Sequence, residues 1–114
     1  MIRNVFFVVA AVVLAVVLSS VHTVCGSDYG EGKALYEEKC MICHGQNGKG
    51  DGPAAAALSP PPKDFNRPEF WKQKDVHQLI RSQVKNGKGS MPAFNLSDEE
   101  INAIIEFMSG TFKK

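Results

Sequence analysis

The chain has 114 residues, 13 of them Lys or Arg and 12 Asp or Glu, for a formal charge of +1. That length accommodates one small domain rather than two. The balanced charge excludes a strongly basic nucleic-acid binder and a strongly acidic tail.

The apolar content of 44% is unevenly spread: 19 apolar residues fall in positions 1–26, which leaves 31 for the other 88. A segment of that size is short of core, so a disulfide, a metal or a cofactor is expected to complete the interior. Residues 1–26 read as a segment outside the fold. Arg3 supplies a basic start, and Val5 to Leu18 runs fourteen residues without a polar side chain, the pattern of a secretory signal. The run is short for a membrane span of about 20 residues. Ser19 to Ser27 is uncharged as well, so an uncleaved anchor helix reaching Val24 is a second reading. No Ala-x-Ala cleavage triplet occurs, and Val24 with Gly26, or Thr23 with Cys25, are the small-residue candidates. A third reading makes Cys25 a lipid-attachment cysteine. All three send residues 27–114, the expected domain, to the periplasm or another exported setting.

Ser27 to Gly32 is a polar lead-in. Glu31 to about Cys43 is predicted as the first helix, with Ala34, Leu35, Tyr36 and Ile42 as its apolar contributions. Gly45 to Pro62 contains GQNGKGDGP and then SPPP, which exclude regular structure. So long an irregular stretch in a small domain points to something it wraps around. A second helix is predicted from Asp75, with Gln78 in the capping-box position and Val76, Leu79, Ile80 and Val84 as its stripe. Asn86-Gly87 and Gly89 end it, and Lys88 to Leu96 is a loop containing Met91-Pro92. The last helix has the best-defined start. Ser97 is the N-cap, Glu100 closes the capping box, and Asp98 and Glu99 suit the positive end of the dipole. Ile101, Ile104, Ile105 and Met108 follow at i, i+3, i+4 and i+7, with Gly110 as a stop. No segment alternates like a strand and nothing repeats, so the expected fold class is all-α.

Cys40-Met41-Ile42-Cys43-His44 has the Cys-x-x-Cys-His spacing of c-type haem attachment. Two thiols three residues apart, at the end of a helix, can add to the two vinyl groups on one porphyrin edge. The adjacent histidine then lies under the ring as an axial nitrogen. Covalent attachment also tethers a cofactor that so small a domain cannot fully enclose. Other uses of the cysteine pair fit less well. A thioredoxin-type pair needs a βαβ setting. A zinc site wants further ligands, and His77 is the other histidine of the expected domain. A Cys40–Cys43 disulfide closes a tiny loop and holds little together.

A low-spin electron-transfer haem takes a second axial ligand, commonly Met or His. Met41 lies inside the attachment loop and cannot reach the opposite ring face. Met108 lies on the core stripe of the last helix, and His77 occupies a first helical turn, where a solvated histidine is ordinary. Met91 differs, because Gly89 and Ser90 precede it and Pro92 follows. A thioether in such a stiffened loop can be presented to iron without unwinding a helix; its other use would be to fill a gap in the core.

The run GKALYEEKCMICHGQNGKGDGP, followed by SMPAFNLSDEEINAIIEFM, resembles the small single-haem class I c-type cytochromes of bacteria over about residues 30–110. The resemblance implies the cytochrome c fold, about three to five helices around one covalently attached haem c. It implies that Cys40 and Cys43 form the thioethers, that His44 is the proximal iron ligand and that Met91 is the distal one. The first and last helices would cross near Gly32 and Tyr36 on one side and Ile104 and Phe107 on the other. In this family a proline carbonyl accepts a hydrogen bond from the proximal imidazole, and Pro62 of PKDF is the implied counterpart. Trp71 is implied either as a hydrogen-bond donor to a haem propionate or as a core residue.

The glycines of GQNGKGDG resemble a phosphate cradle only superficially, since no strand precedes them and no Gly-Lys-Ser/Thr follows. Arg67 to Lys88 carries six basic residues against Glu69 and Asp75. Beside the Met91 loop such a patch would steer the protein toward acidic redox partners. A haem with both axial positions filled has no open site for substrate. The expected function is therefore that of an exported monomeric electron carrier, not an enzyme, cycling between Fe(II) and Fe(III) with its haem edge docked briefly on partner proteins. Two alternatives stay open: a membrane-anchored cytochrome subunit of a respiratory complex, and a haem enzyme or gas sensor with a labile Met91.

Overall fold

The computed structural model describes residues 1–9 and 27–114 of the chain. Residues 2–9 are helical and exposed; the rest of the expected leader, with its cleavage candidates and Cys25, lies outside the described residues. From residue 27 the order is α1 (Ser27–Lys39), α2 (Met41–His44), a 3-10 turn (Ala55–Ala57), α3 (Pro68–Trp71), α4 (Val76–Asn86) and α5 (Asp98–Phe112). Among the described residues there is no strand beyond an isolated bridge between Lys88 and Met91.

Packing of α1 on α5 makes most of the core. Gly32 sits where the two helices touch, and a Cβ there would run into the carbonyl of Ala103. Aromatic rings fill the rest of the seam: Tyr36 lies 5.4 Å from both Phe107 and Phe112, and Tyr29 lies 5.4 Å from Phe107. The stripe Ile101, Ile104, Ile105 and Met108 is fully buried, each isoleucine contributing about 1.5–3 kcal/mol of hydrophobic stabilisation. From α4, Ile80 and Val84 close the core from a third direction. Arg81 and Lys85 reach from α4 to Asp98 at the start of α5, and Arg81 Nη2 donates to Asn102 Oδ1 at 2.6 Å.

Several helix limits and one cap differ from expectation, each for a local reason. Helix α1 takes in the polar lead-in, and the expected Glu31–Cys43 helix is divided at Cys40, whose φ of −109° offsets α2 from α1. The short α3 has Pro68 in its first turn, where a fixed φ and a missing N–H suit a helix start. Asp75 precedes α4 in the left-handed region, at φ 55° and ψ 38°, with no side-chain cap bond. The expected capping box with Gln78 is therefore absent, because a capping side chain needs an extended backbone beneath it. At α5 the box is complete: Glu100 N donates to Ser97 Oγ at 3.1 Å and Ser97 N to Glu100 Oε2 at 2.8 Å. Gly110 does not stop this helix. It leaves room for the Tyr29 ring, 3.2 Å from where a Cβ would stand, and the helix runs on until Phe112 is buried.

Candidate haem-binding site

The site is built on the offset between α1 and α2. Cys40 N still bonds Tyr36 O at 2.9 Å, while Cys43 N and His44 N both return to Cys40 O, at 3.2 and 2.9 Å. This tight turn sets Cys40, Cys43 and His44 on adjoining positions; both thiols are half-buried and free of any disulfide. The end of α2 would leave carbonyls without partners, and the glycine-rich loop supplies them. Gly50 N donates to His44 O, Gly52 N to Cys43 O and Ala54 N to Ile42 O, at 2.8, 3.1 and 2.9 Å. A Cβ on Gly52 would strike the Ile42 carbonyl, and Gly45 and Gly50 have φ of 81° and 76°. The glycines thus serve close backbone approach to the cysteine motif.

Two groups hold the His44 ring, and a third holds the residue after it. Its Nδ1 lies 3.4 Å from the Lys63 carbonyl, to which it donates. Its ring stacks on Phe65 with centroids 4.6 Å apart and planes 22° from parallel. Tyr36 donates its hydroxyl proton to the next carbonyl, Gly45 O, at 2.9 Å. Burial lowers the His44 pKa below the ordinary histidine value, with the Lys63 hydrogen bond opposing. The imidazole is thereby kept neutral at neutral pH, with Nε2 available as a metal ligand. Burial likewise pushes the Tyr36 hydroxyl far above its usual range, so it acts as a donor, and pushes the Cys40 thiol up to about 11. That burial disfavours a thiolate but not an uncharged thioether.

The carbonyl facing His44 belongs to Lys63 rather than to the expected Pro62, whose own carbonyl faces Gly50. Trp71 donates its indole N–H to Phe65 O at 2.7 Å and is buried in the core, outside the cavity lining. Phe65 went unnoticed in the sequence, although its N–H to Gly48 O bond of 2.7 Å and the Trp71 bond fix it under the imidazole.

Cys40, Cys43, His44 and Met91 all line one cavity of about 580 Å3. Met91 stands in a loop closed by two backbone bonds with Lys88, both 3.0 Å. Gly87, at φ 71°, allows the chain to return close to the Met91 carbonyl. The other candidate ligands fall elsewhere. His77 is exposed and off the cavity, Met41 packs against the core outside the lining, and Met108 is a buried part of the cavity wall on α5. Among the described residues no three His, Cys, Asp or Glu cluster as a metal site. The donor set is instead two thiols, an imidazole and a thioether in an apolar enclosure, which suits a covalently bound haem. Around the lining, Lys39 is paired with Glu38, while Lys63 and Lys88 make no ion pair among the described residues. The basic run is partly neutralised, since Arg67 pairs with Asp64 and both Arg81 and Lys85 pair with Asp98.

A helical domain whose Cys-x-x-Cys-His turn opens onto such a cavity is of the cytochrome c class. Residues 27–108 match the family model described as cytochrome c oxidase, cbb3-type, subunit III, and the chain belongs to this family of small class I c-type cytochromes. It is 34% identical over 89 residues to cytochrome c6 of Bryopsis maxima, covering 73% of this chain and 91% of that protein. With cytochrome c-551 of Bacillus subtilis it shares 34% identity over 80 residues, 69% of this chain and 60% of the other. It is also 43% identical over 85 residues to thiosulfate dehydrogenase of Thiomonas intermedia, covering 71% of this chain but 26% of that enzyme. The cofactor is covalently bound haem c, and the function is electron transfer with redox partners.

Proposed function

We propose that Cys40 and Cys43 hold haem c as thioethers and that His44 and Met91 are the axial ligands of its iron. The observation that carries this reading is the convergence of all four side chains on one apolar cavity. Bound there, the haem supplies one reversible electron through its iron. The chain's own residues do the rest. The Lys63 carbonyl and the Phe65 ring fix the imidazole plane, the bridge at Lys88 and Met91 sets the loop, and mostly apolar walls surround the site. With His44 and Met91 both on the iron, no coordination position stays open for a substrate. A dedicated carrier, rather than an enzyme or sensor, follows.

The test is an optical spectrum of the holoprotein, oxidised and reduced, with carbon monoxide added. A methionine–iron charge-transfer band and no rapid response to carbon monoxide are expected, binding being limited by slow release of Met91. Met91→Ala should lose the band and bind carbon monoxide. A parent protein without the band that binds carbon monoxide rapidly would overturn the Met91 assignment and favour the enzyme or sensor.

The apolar run after Arg3 supports export to the periplasm, with residues 1–26 as leader or anchor and residues 27–114 as the functional domain. Sequencing the N-terminus of the mature protein separates the two: a start near residue 26 marks cleavage, and Met1 marks an anchor. Lys63 and Lys88 at the cavity support docking on acidic partners.

A further inference from the structure

Leu58, the prolines 60–62 and the Met91 loop line the same cavity from different parts of the chain. The backbone hydrogen bonds of residues 87–94 stay within the loop or return to α4: Lys88 and Met91 bond each other twice, and Phe94 N bonds Val84 O at 2.8 Å. One side chain reaches across. Ser90 Oγ donates to the Ser59 carbonyl at 3.1 Å, between residues 31 positions apart. Next to it, Gly89 comes so near the proline segment that a Cβ would stand 3.9 Å from Pro60 Cδ. The segment 60–62 is three consecutive prolines, each with a fixed φ, so Ser90 ties a glycine-flanked loop to a stiff wall. Ser90 also immediately precedes Met91.

We propose that Ser90 is a positioning residue for Met91, its hydroxyl clasping the loop to the proline wall and slowing departure of the thioether from iron. This rests on the reading of Met91 as the distal ligand. An exposed hydrogen bond adds little to global stability, but a local opening that frees Met91 must break it. The clasp therefore acts on ligand lability far more than on unfolding.

The experiment uses holoprotein variants Ser90→Ala, Ser90→Thr and Ser59→Ala. It measures the rate of carbon monoxide binding to the reduced form, the charge-transfer band of the oxidised form and Tm. Ser90→Ala should bind carbon monoxide about fivefold faster, the loss of one ordinary hydrogen bond, with a weaker band and a nearly unchanged Tm. Ser90→Thr keeps the hydroxyl and should restore the parent rate. Ser59→Ala keeps the accepting carbonyl and should behave as the parent. A Ser90→Ala rate equal to the parent's, or an equal rise in Ser59→Ala, would overturn the clasp while the parent's band upholds Met91 ligation. A parent without the band would overturn the ligand reading and the clasp together.

Discussion

A histidine that offers one nitrogen to a metal needs its other nitrogen and its ring plane held. In this chain both tasks fall to the short run Lys63-Asp64-Phe65, through one carbonyl and one stacked ring. Phe65→Leu keeps apolar bulk and removes the stack. It is expected to lower stability by about 0.5–1.5 kcal/mol and to lower the reduction potential, because a looser imidazole admits water that favours the oxidised state. Thermal melts and voltammetry of the holoprotein check both, and an unchanged potential would show that the stack does not set the ring. The ligating candidates were legible because Cys-x-x-Cys-His is a spacing, and spacing is what a sequence prints. Which carbonyl of PPPKDF meets the imidazole depends on backbone direction, so Pro62 was expected where Lys63 stands. Trp71 stayed ambiguous for a similar reason: its partner, Phe65 O, is a backbone atom that carries no residue signature.

Among the helices, Asp75 and Ser97 carry the same kind of start signal, a short polar residue followed three positions later by Gln or Glu. Only Ser97 has the extended backbone that lets the box close; Asp75 is left-handed. Composition thus located both starts within a residue, and conformation decided which one is capped. Ser97→Ala should cost about 1 kcal/mol, read as a fall in Tm. Just inside the same helix, the hydrogen bond from Lys85 holds the Asp98 carboxyl below its ordinary pKa, with Arg81 adding to it. A folded-state pKa below the unfolded one stabilises above the ordinary carboxylate value of about 4 and is lost as pH falls through the lowered value. Asp98→Asn should therefore lower Tm slightly at pH 7, and the gap between variant and parent should close as pH falls below the ordinary carboxylate range. Gly110, read from the sequence as a terminator, shows that burial of Phe112 outweighs the weak helix propensity of one glycine.

Across the molecule, half of the basic run that the sequence makes conspicuous is spoken for. Arg67, Arg81 and Lys85 face carboxylates of their own chain and Lys72 and Lys74 lie off the cavity lining, which leaves Lys88 of the run, with Lys63 before it, beside the cavity. Electron transfer to an acidic partner should slow as salt is added, with the shallow dependence of a few charges. Lys88→Gln should cut the low-salt rate several-fold and Lys85→Gln should leave it nearly unchanged; stopped-flow rates across a salt series distinguish them. A rate indifferent to salt would remove the electrostatic reading.

The crossing of α1 and α5 also dictates a timetable. Tyr29 and Thr111, joined by a 2.8 Å hydrogen bond, are 82 positions apart, and Tyr36 waits for Phe107 and Phe112 to become a buried side chain. A growing polypeptide therefore presents Cys40 and Cys43 long before the surface that will enclose them has been synthesised. During that interval α1 is a short helix with nothing to dock on, marginal by itself in water. The motif stays an open peptide, accessible to whatever chemistry must act on it. The architecture therefore leaves the motif open to modification until the closing helix arrives.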